Sequence, residues 1–204
     1  MDPLIALLRS QNKVLEFLAK GFKVLSDVIK TPDIGIRRQE LFIATLKKHG
    51  VIEEIQEQLG REEDFYLISE ARRQAYSLKT AKSVGIIKVA WNGFPSAERV
   101  KNFQFTCPIV YVTKEGIYVF ELNDIESVKR EMKFDEFWWI PTGGNPRGFG
   151  ISKKAVEKLV TKAKEKDNYI PLPSIREITA QISRGDYLDA FYEMVKMLVN
   201  KIDK

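Results

Sequence analysis

The hydrophobic residues of this chain change their spacing along the sequence, and this change limits the fold more than any other feature. Over residues 4–29 they recur in steps of three and four, which is the period of an amphipathic helix. Over residues 86–91 the period falls to about two, which is typical of a strand. The sequence therefore predicts an α+β fold with a helical N-terminal part, a central mixed β-sheet with flanking helices, and C-terminal helices.

Start and stop signals place the helices. Asp2-Pro3 is a helix start, and Thr31-Pro32 is a stop, so residues 4–29 are predicted to form one heptad-patterned helix. This apolar seam either pairs with a second copy or packs on the rest of the same molecule. Further helices are predicted over residues 37–48, 51–59, 62–82, 124–132 and 152–166, and from Ser174 and Asp186 onward.

The strand signals follow the predicted helix over residues 62–82. Strands are predicted over residues 86–91, 103–112, 117–122, 137–140 and 169–172, with a hairpin between the second and third. We divide the chain into a helical region (1–60), an α/β core (61–173) and C-terminal helices (174–204).

Composition excludes several classes of site. The chain has one cysteine, Cys107, and one histidine, His49, so it has no internal disulfide and no zinc site built from cysteine and histidine. Charged residues make up 30%, mostly Lys and Glu, as in proteins from hot environments. No cationic leader and no apolar run of about 20 residues is present, so we expect a cytoplasmic protein without a membrane partner.

Basic residues are concentrated in residues 71–114. This segment contains eight cations and one acid, a net +7, whereas the whole chain carries +5. Aromatic residues alternate with the cations: Tyr76, Trp91, Phe94, Phe103, Phe105 and Tyr111. Cations bind phosphates and flat rings stack on bases, so the segment predicts a nucleic-acid-binding surface. The candidate binding residues here are Arg72, Arg73, Lys79, Lys82, Lys88, Trp91, Arg99 and Lys101.

Two features outside the basic segment point to the same partner. The predicted helix over residues 152–166 places Lys154, Lys158 and Lys162 four residues apart, on one ridge. The glycine-rich loop of residues 141–150 contains Arg147 and precedes a helix N-terminus, where backbone N–H groups bind phosphate in other proteins. A solvated helix face and a plain surface connection are the alternatives for these two features.

One stretch resembles the nuclease fold of archaeal Holliday-junction resolvases, which is known by its PD-(D/E)XK signature. In that family a helix bearing Glu precedes a three-stranded meander, and the resemblance covers about residues 62–172. It implies that Glu70 and Glu121 are catalytic carboxylates binding Mg²⁺. Ile109 stands at the expected Asp and Asn123 at the expected Lys, so the resemblance implies a fold more than an activity.

A shorter stretch, residues 117–172, resembles an RNA-recognition motif. Residues 147–150 read Arg-Gly-Phe-Gly, like the start of one signature of that family, and residues 117–122 are similar to the other. The resemblance implies that Tyr118 and Phe149 are base-stacking rings. Ile151 stands where a third aromatic is usual, and the gap between the signatures is short.

The preferred interpretation is a nucleic-acid-binding protein without catalysis and without a cofactor. The alternatives are a Mg²⁺-dependent nuclease, a structural or oligomerisation module, and an RNA-recognition-motif-like protein. The two terminal apolar seams, in residues 4–29 and 188–202, favour a homo-oligomer, most simply a dimer.

Overall fold

The computed structural model describes residues 1–28, 32–52, 63–68, 73–91, 93–143 and 146–173. Its helices are α1 (Pro3–Arg9), α2 (Asn12–Lys23), α3 (Ile34–Lys48), α4 (Ala97–Lys101), α5 (Leu122–Glu131), α6 (Phe134–Phe137) and α7 (Lys153–Glu165), and a π-helical turn, Val24–Val28, continues α2. Its strands are β1 (Phe65–Ile68), β2 (Arg73–Thr80), β3 (Ile87–Ala90), β4 (Ile109–Val112), β5 (Gly116–Phe120), β6 (Trp138–Trp139), β7 (Phe149–Ile151) and β8 (Tyr169–Pro171).

The strands form two sheets. The larger sheet has the order β1-β2-β4-β5-β8, and the smaller has the order β3-β7-β6. In the larger sheet β2 is parallel to β4, while the other neighbours are antiparallel. A parallel pair needs a crossover connection, and the chain between β2 and β4 supplies it, with β3 and α4 inside it. The predicted α+β architecture with a mixed sheet is confirmed.

The N-terminal helices cover one face of the larger sheet. Leucines of the heptad seam, including Leu8 and Leu18, share a core with Tyr76 and Leu78 of β2. The seam therefore packs within the molecule. The predicted single helix is wrong, because α1 ends at Ser10, whose hydroxyl donates to Leu7 O at 2.8 Å, and α2 starts at Asn12. Two short helices can each lie flat on a twisted sheet.

The opposite face of the larger sheet carries a second core. Tyr111, Tyr118 and Phe120 pack there against α5 and α7 and against the smaller sheet. Helix α7 starts at Ser152, whose hydroxyl accepts from Ala155 N at 3.2 Å, as the sequence predicts for an N-cap. The predicted hairpin is also confirmed, since β4 and β5 pair antiparallel with Val112 opposite Ile117.

The predicted helix over residues 62–82 is wrong. This part of the chain instead contains β1 and β2, which pair antiparallel with Phe65 opposite Tyr76. Tyr76 and Leu78 are buried in the first core, whereas Ser77 and Lys79 between and after them lie on the other face. This alternation satisfies a two-residue period, and pairing with β4 outweighs the helix propensity of the segment.

Two strand predictions are too long. Residues 103–108 are not in a strand. Phe103 makes an edge contact with the Trp138 ring and Phe105 stacks on the same ring, so this segment packs through its side chains. The predicted strand over residues 137–140 is reduced to β6, because the capping contacts of Lys133 and Glu136 form helix α6 up to Phe137.

The described residues include parts of the first two predicted regions, 1–60 and 61–173, and none of the third, 174–204. The helices of residues 1–52 share their core with the larger sheet. The division near residue 60 stays a prediction, and the helices predicted from Ser174 and Asp186 lie outside the described residues, as does most of the one predicted over residues 51–59.

Candidate nucleic-acid interface

A cleft of about 980 Å³ lies between the larger sheet and β3. The start of α3 forms one wall, the ends of β1 and β2 form the floor, and β3 forms the opposite wall. Side chains with polar or aromatic groups that line it are Asp33, Gln39, Asp64, Ser77, Lys79, Thr80, Lys88, Trp91, Arg99, Phe103, Phe105, Tyr111 and Trp139. Four residues of the sequence-predicted set, Lys79, Lys88, Trp91 and Arg99, are therefore brought together.

The floor of the cleft is a polar cluster around Asp64. Its Oδ2 accepts from Leu78 N at 2.5 Å and from Ser77 Oγ at 3.2 Å, and lies 3.6 Å from Lys79 Nζ. Gln39 Nε2 donates to Leu78 O at 2.7 Å from the α3 side. The arrangement places one carboxylate, just before β1, beside one ammonium on β2, and both face the cleft.

The wall formed by β3 carries a cation between two indole rings. Lys88 Nζ lies 4.9 Å from the centroid of the Trp91 ring and 5.4 Å from that of Trp139. Cation–π contacts hold the ammonium in place without neutralising it. Arg99 is held by Phe94 O, 3.4 Å from its Nη1, and by the ring of Phe149. Among the described residues, Lys88 and Arg99 have no ion-pair partner.

The aromatic residues of the basic segment separate into two groups. Trp91 is 65% exposed and Phe94 is 69% exposed. Tyr76 and Tyr111 are buried, and Phe103 and Phe105 are half-buried against the second core. The alternation of rings and cations in the sequence thus yields two accessible rings, both in the segment between β3 and α4.

The lysine ridge of α7 lies against carboxylates. Lys154 Nζ is 2.6 Å from Glu136 Oε1, and Lys162 Nζ is 3.4 Å from Glu131 Oε1. Lys158 is exposed on the same ridge. These ion pairs tie α7 to α6 and α5, so part of the charge that suggested an anionic partner is neutralised within the molecule. The predicted contact of this ridge with nucleic acid stays a prediction.

The remaining predicted cations are dispersed. Lys82 pairs with Asp27 at 3.1 Å, beside the N-terminal helices, while Lys101 and Arg147 are exposed. Arg72 lies outside the described residues, and only the backbone of Arg73, at the start of β2, is described.

The predicted catalytic carboxylate Glu121 lies on the other face of the larger sheet. Ser77, Ile109 and Phe120 form one row across β2, β4 and β5, and side chains alternate along a strand. Glu121 follows Phe120, so it points away from the cleft. It accepts from Asn168 Nδ2 at 2.8 Å and from Lys166 Nζ at 3.2 Å.

Hydrogen bonding and burial shift the pKa values of two carboxyl groups on that face, those of Glu121 and Asp2. The Asn168 amide and, after it, the Lys166 ammonium hold the pKa of Glu121 below its ordinary value. Asp2 is buried and accepts from Tyr76 Oη at 2.9 Å, and burial raises its pKa. Asp2, Tyr76, Asn168 and Glu121 form a hydrogen-bonded network that joins α1, β2 and the residues after α7. Glu70, the other predicted carboxylate, lies outside the described residues.

In the structure, other residues come close to the family pattern, which is an Asp followed by Asp or Glu, any residue, and Lys. Asp64 lies just before β1, and Ser77-Leu78-Lys79 lies in the neighbouring strand β2. The match is incomplete, because Ser77 stands at the position of the second acid. Sequence reasoning missed this match because it assigned residues 62–82 to a helix. The alternation of Tyr76, Ser77, Leu78 and Lys79 was the signal that identifies the strand.

The RNA-recognition-motif prediction is wrong. Strands β5 and β8 belong to the larger sheet and β6 and β7 to the smaller one, so residues 117–172 do not form one four-stranded sheet. Tyr118 and Phe149, the predicted stacking rings, are 1% and 0% exposed. Both rings pack inside the second core.

Within the described ranges, no group of three or more His, Cys, Asp and Glu side chains is arranged to hold a metal ion. No helix in the part of the chain that the structure describes is long and apolar enough to span a bilayer.

The fold is similar to that of a known enzyme. A solved structure of a restriction endonuclease in complex with substrate DNA matches with a TM-score of 0.63, covering 84% of this chain and 88% of that chain at 18% sequence identity. No protein-family model and no curated protein sequence matches the chain. The predicted resemblance to a nuclease fold is confirmed at the level of the fold.

Proposed function

We propose that this protein binds DNA in the cleft between the larger sheet and β3. The observation that carries the proposal is the pair of cations Lys88 and Arg99, which face the cleft and lack ion-pair partners among the described residues. Cations held in this way are available to phosphate groups and release counterions when they bind them. The similar solved structure is a restriction endonuclease that holds its substrate DNA, which supports DNA as the partner.

The test is DNA affinity across a salt series, measured by fluorescence anisotropy with a labelled duplex. Log K is expected to fall linearly with log salt concentration, and the variant with Lys88→Gln and Arg99→Gln is expected to bind at least about tenfold more weakly, with a slope reduced by about 2. A variant with Lys13→Gln and Lys47→Gln is the matched control, because both lysines are exposed on helices outside the cleft and the charge change is the same. Equal affinities for the two variants would refute the proposal, and a preference for RNA in the same assay would change the partner.

A second candidate function is metal-dependent cleavage of DNA, favoured by one observation. Asp64, just before β1, and Lys79 of β2 have 3.6 Å between carboxylate and ammonium, which matches part of the nuclease pattern. The donor set for Mg²⁺ is incomplete: the described residues at the floor supply the Asp64 carboxylate and the Ser77 hydroxyl. Mg²⁺ often takes one or two carboxylates and completes its shell with phosphate and water. We derive no hydrolytic step from this set.

Plasmid cleavage in Mg²⁺ or Mn²⁺ tests this candidate. Activity from the assigned site is expected to be lost in Asp64→Asn and in Lys79→Met, and to persist in Glu121→Gln, whose side chain lies on the opposite face of the sheet. Loss in Glu121→Gln alone would restore the residue assignment that the sequence predicts. No cleavage by the intact protein with either metal would remove this candidate and leave DNA binding as proposed.

A further inference from the structure

Two large aromatic side chains are left in water beside the cleft. Trp91 and Phe94 are the most exposed aromatic rings among the described residues, at 65% and 69%. Most other rings of the basic segment are buried or half-buried. Exposed apolar surface at a cleft is a common feature of binding sites, so these two rings are candidates for contact with a ligand.

The backbone that carries these rings is fixed at several points. Gly93 O accepts from Gly148 N at 3.1 Å, which ties the segment to β7. Pro95 is buried, and Ser96 caps α4 by accepting from Arg99 N at 3.2 Å. A ligand that stacks on the rings would not have to order this part of the chain first, which lowers the entropic cost of binding.

Cations lie close to this segment. Lys88 Nζ is 4.9 Å from the centroid of the Trp91 ring, and Arg99 Nη1 donates to the backbone oxygen of Phe94 at 3.4 Å while its guanidinium lies over the Phe149 ring. A nucleotide presents both a flat base and a phosphate, so an exposed ring with a cation nearby offers a contact for each of them. An apolar protein surface would use the rings but would leave the cations without partners.

An intact duplex does not offer its base faces to such rings, because neighbouring base pairs cover them. Rings at the surface of a protein stack on bases that are single-stranded, bulged or displaced from the helix. We propose that Trp91 and Phe94 stack on unpaired bases, so that the protein binds DNA containing unpaired nucleotides more tightly than intact duplex. The proposal rests on DNA binding in the cleft.

Affinities for three DNAs test it: an intact duplex, the same duplex with a short bulge of unpaired thymines, and a single strand of the same sequence. The intact protein is expected to bind the bulged DNA about tenfold more tightly than the intact duplex. Trp91→Ala and Phe94→Ala are each expected to weaken binding of the bulged DNA about tenfold and binding of the duplex less than twofold. The salt slope is expected to stay unchanged in both variants, since stacking releases no counterions.

Two further variants identify the cause. Trp91→Phe retains a ring and is expected to keep most of the preference, and Phe134→Ala removes an aromatic ring that is 41% exposed outside the cleft lining and is expected to change nothing. Equal affinity of the intact protein for bulged and intact duplex, or ring variants with unchanged affinities, would overturn the proposal and leave the rings as a protein-binding surface. Failure of cleft binding itself is distinguished by the Lys88→Gln and Arg99→Gln variant, which would then bind every DNA as well as the intact protein.

Discussion

Glu121 has neighbours that explain its presence without catalysis. Its two carboxylate oxygens accept from Asn168 and Lys166, and the same lysine lies 2.7 Å from Asp124 Oδ1. These contacts link the start of α5 to the residues that follow α7. The sequence placed Glu121 after a strand, where both a catalytic and a structural role are common, and only the register of β5 against β4 decides which face it occupies.

The first prediction concerns the pH dependence of this network. Since the pKa of Glu121 is lower in the folded protein than its ordinary value of 4.5, the folded state favours the ionised form. The contribution of ionised Glu121 to the stability of the fold is therefore present above pH 4.5 and is lost as the pH falls through the pKa of Glu121 in the folded protein. Glu121→Gln is expected to lower the free energy of unfolding by about 1 kcal/mol at pH 7, after allowance for the partial exposure of the pair.

Thermal unfolding followed by circular dichroism checks this prediction. The difference in Tm between Glu121→Gln and the intact protein is expected to be about 2–4 °C at pH 7 and to shrink below pH 4.5. Glu165→Gln, an exposed glutamate at the end of α7, is the control. A Tm difference that stays constant down to low pH would show that the side chain acts through packing and not through its charge.

The contacts of Asp64 cannot be predicted from the residues next to it in the sequence. In the sequence Asp64 lies in the first turn of the helix predicted over residues 62–82, where an acid is an ordinary residue. In the structure its carboxylate accepts from Ser77 and Leu78 N of the neighbouring strand. No local pattern specifies this contact, because it joins residues 13 and 14 positions apart in the sequence.

At the scale of elements, the smaller sheet depends on close approach of two backbones. Gly148 has a φ of +71°, and a Cβ at this position would lie 2.0 Å from Ala90 O. The segment before β7 thus passes next to the end of β3, and Gly148 N donates to Gly93 O there. The glycine pattern that predicts a phosphate-binding loop is explained here by strand contact, as far as residues 146–150 are concerned.

The second prediction follows from this contact. Gly148→Ala is expected to destabilise the protein by about 3 kcal/mol, because the new methyl group meets backbone atoms and the backbone conformation disfavours a side chain. Gly35→Ala, in the first turn of α3 with no atom within 4 Å of the new Cβ, is expected to be neutral or to stabilise by about 0.5 kcal/mol.

Urea unfolding of both variants measures the difference. A Gly148→Ala protein with an unchanged midpoint would show that β3 and the segment before β7 separate at little cost. In that case the backbone that carries Trp91 and Phe94 would not be held in place by this contact. The stacking proposal would then lose one of its supports.

Strand pairing explains why residues 73–80 form a strand although the sequence predicts a helix over residues 62–82. Residues 62–82 contain good helix formers, but β2 lies between β1 and β4, and both of its faces contact other elements. Pairing partners so distant in the sequence are not visible in a local period. Helices α3, α5 and α7 were predictable because their buried apolar residues recur at helical spacing, and Ser152 is a recognisable cap of α7.

At the scale of the whole molecule, the N-terminal seam is part of the core. Leu15 and Leu18 are 8% and 0% exposed and pack with the larger sheet. A dimer stays a prediction, and this seam is not available to form it while α2 stays on the sheet. The second seam, in residues 188–202, lies outside the described residues.

The third prediction uses the same residues. The variant with Leu15→Glu and Leu18→Glu is expected to lose cooperative unfolding, because two carboxylates cannot be buried in an apolar core without a cost of several kcal/mol. Circular dichroism and sedimentation velocity separate the possibilities. A variant that stays folded while the intact protein sediments as a dimer and the variant as a monomer would show that the seam is an interface between copies.

The sequence by itself determined the fold class, the amphipathic helices and their caps, the hairpin, and the presence of a strongly basic segment. These depend on short-range period and composition, which are local properties of the chain. Tertiary structure alone decided which cations meet: Lys79, Lys88 and Arg99 come together at one cleft, whereas Lys82, Lys154 and Lys162 pair with carboxylates elsewhere. It also decided that Trp91 and Phe94 are exposed while Tyr76 and Tyr111 are buried. The physical reason is that strand register and sheet order set the face on which each side chain lies, and both arise from contacts between residues far apart in the sequence.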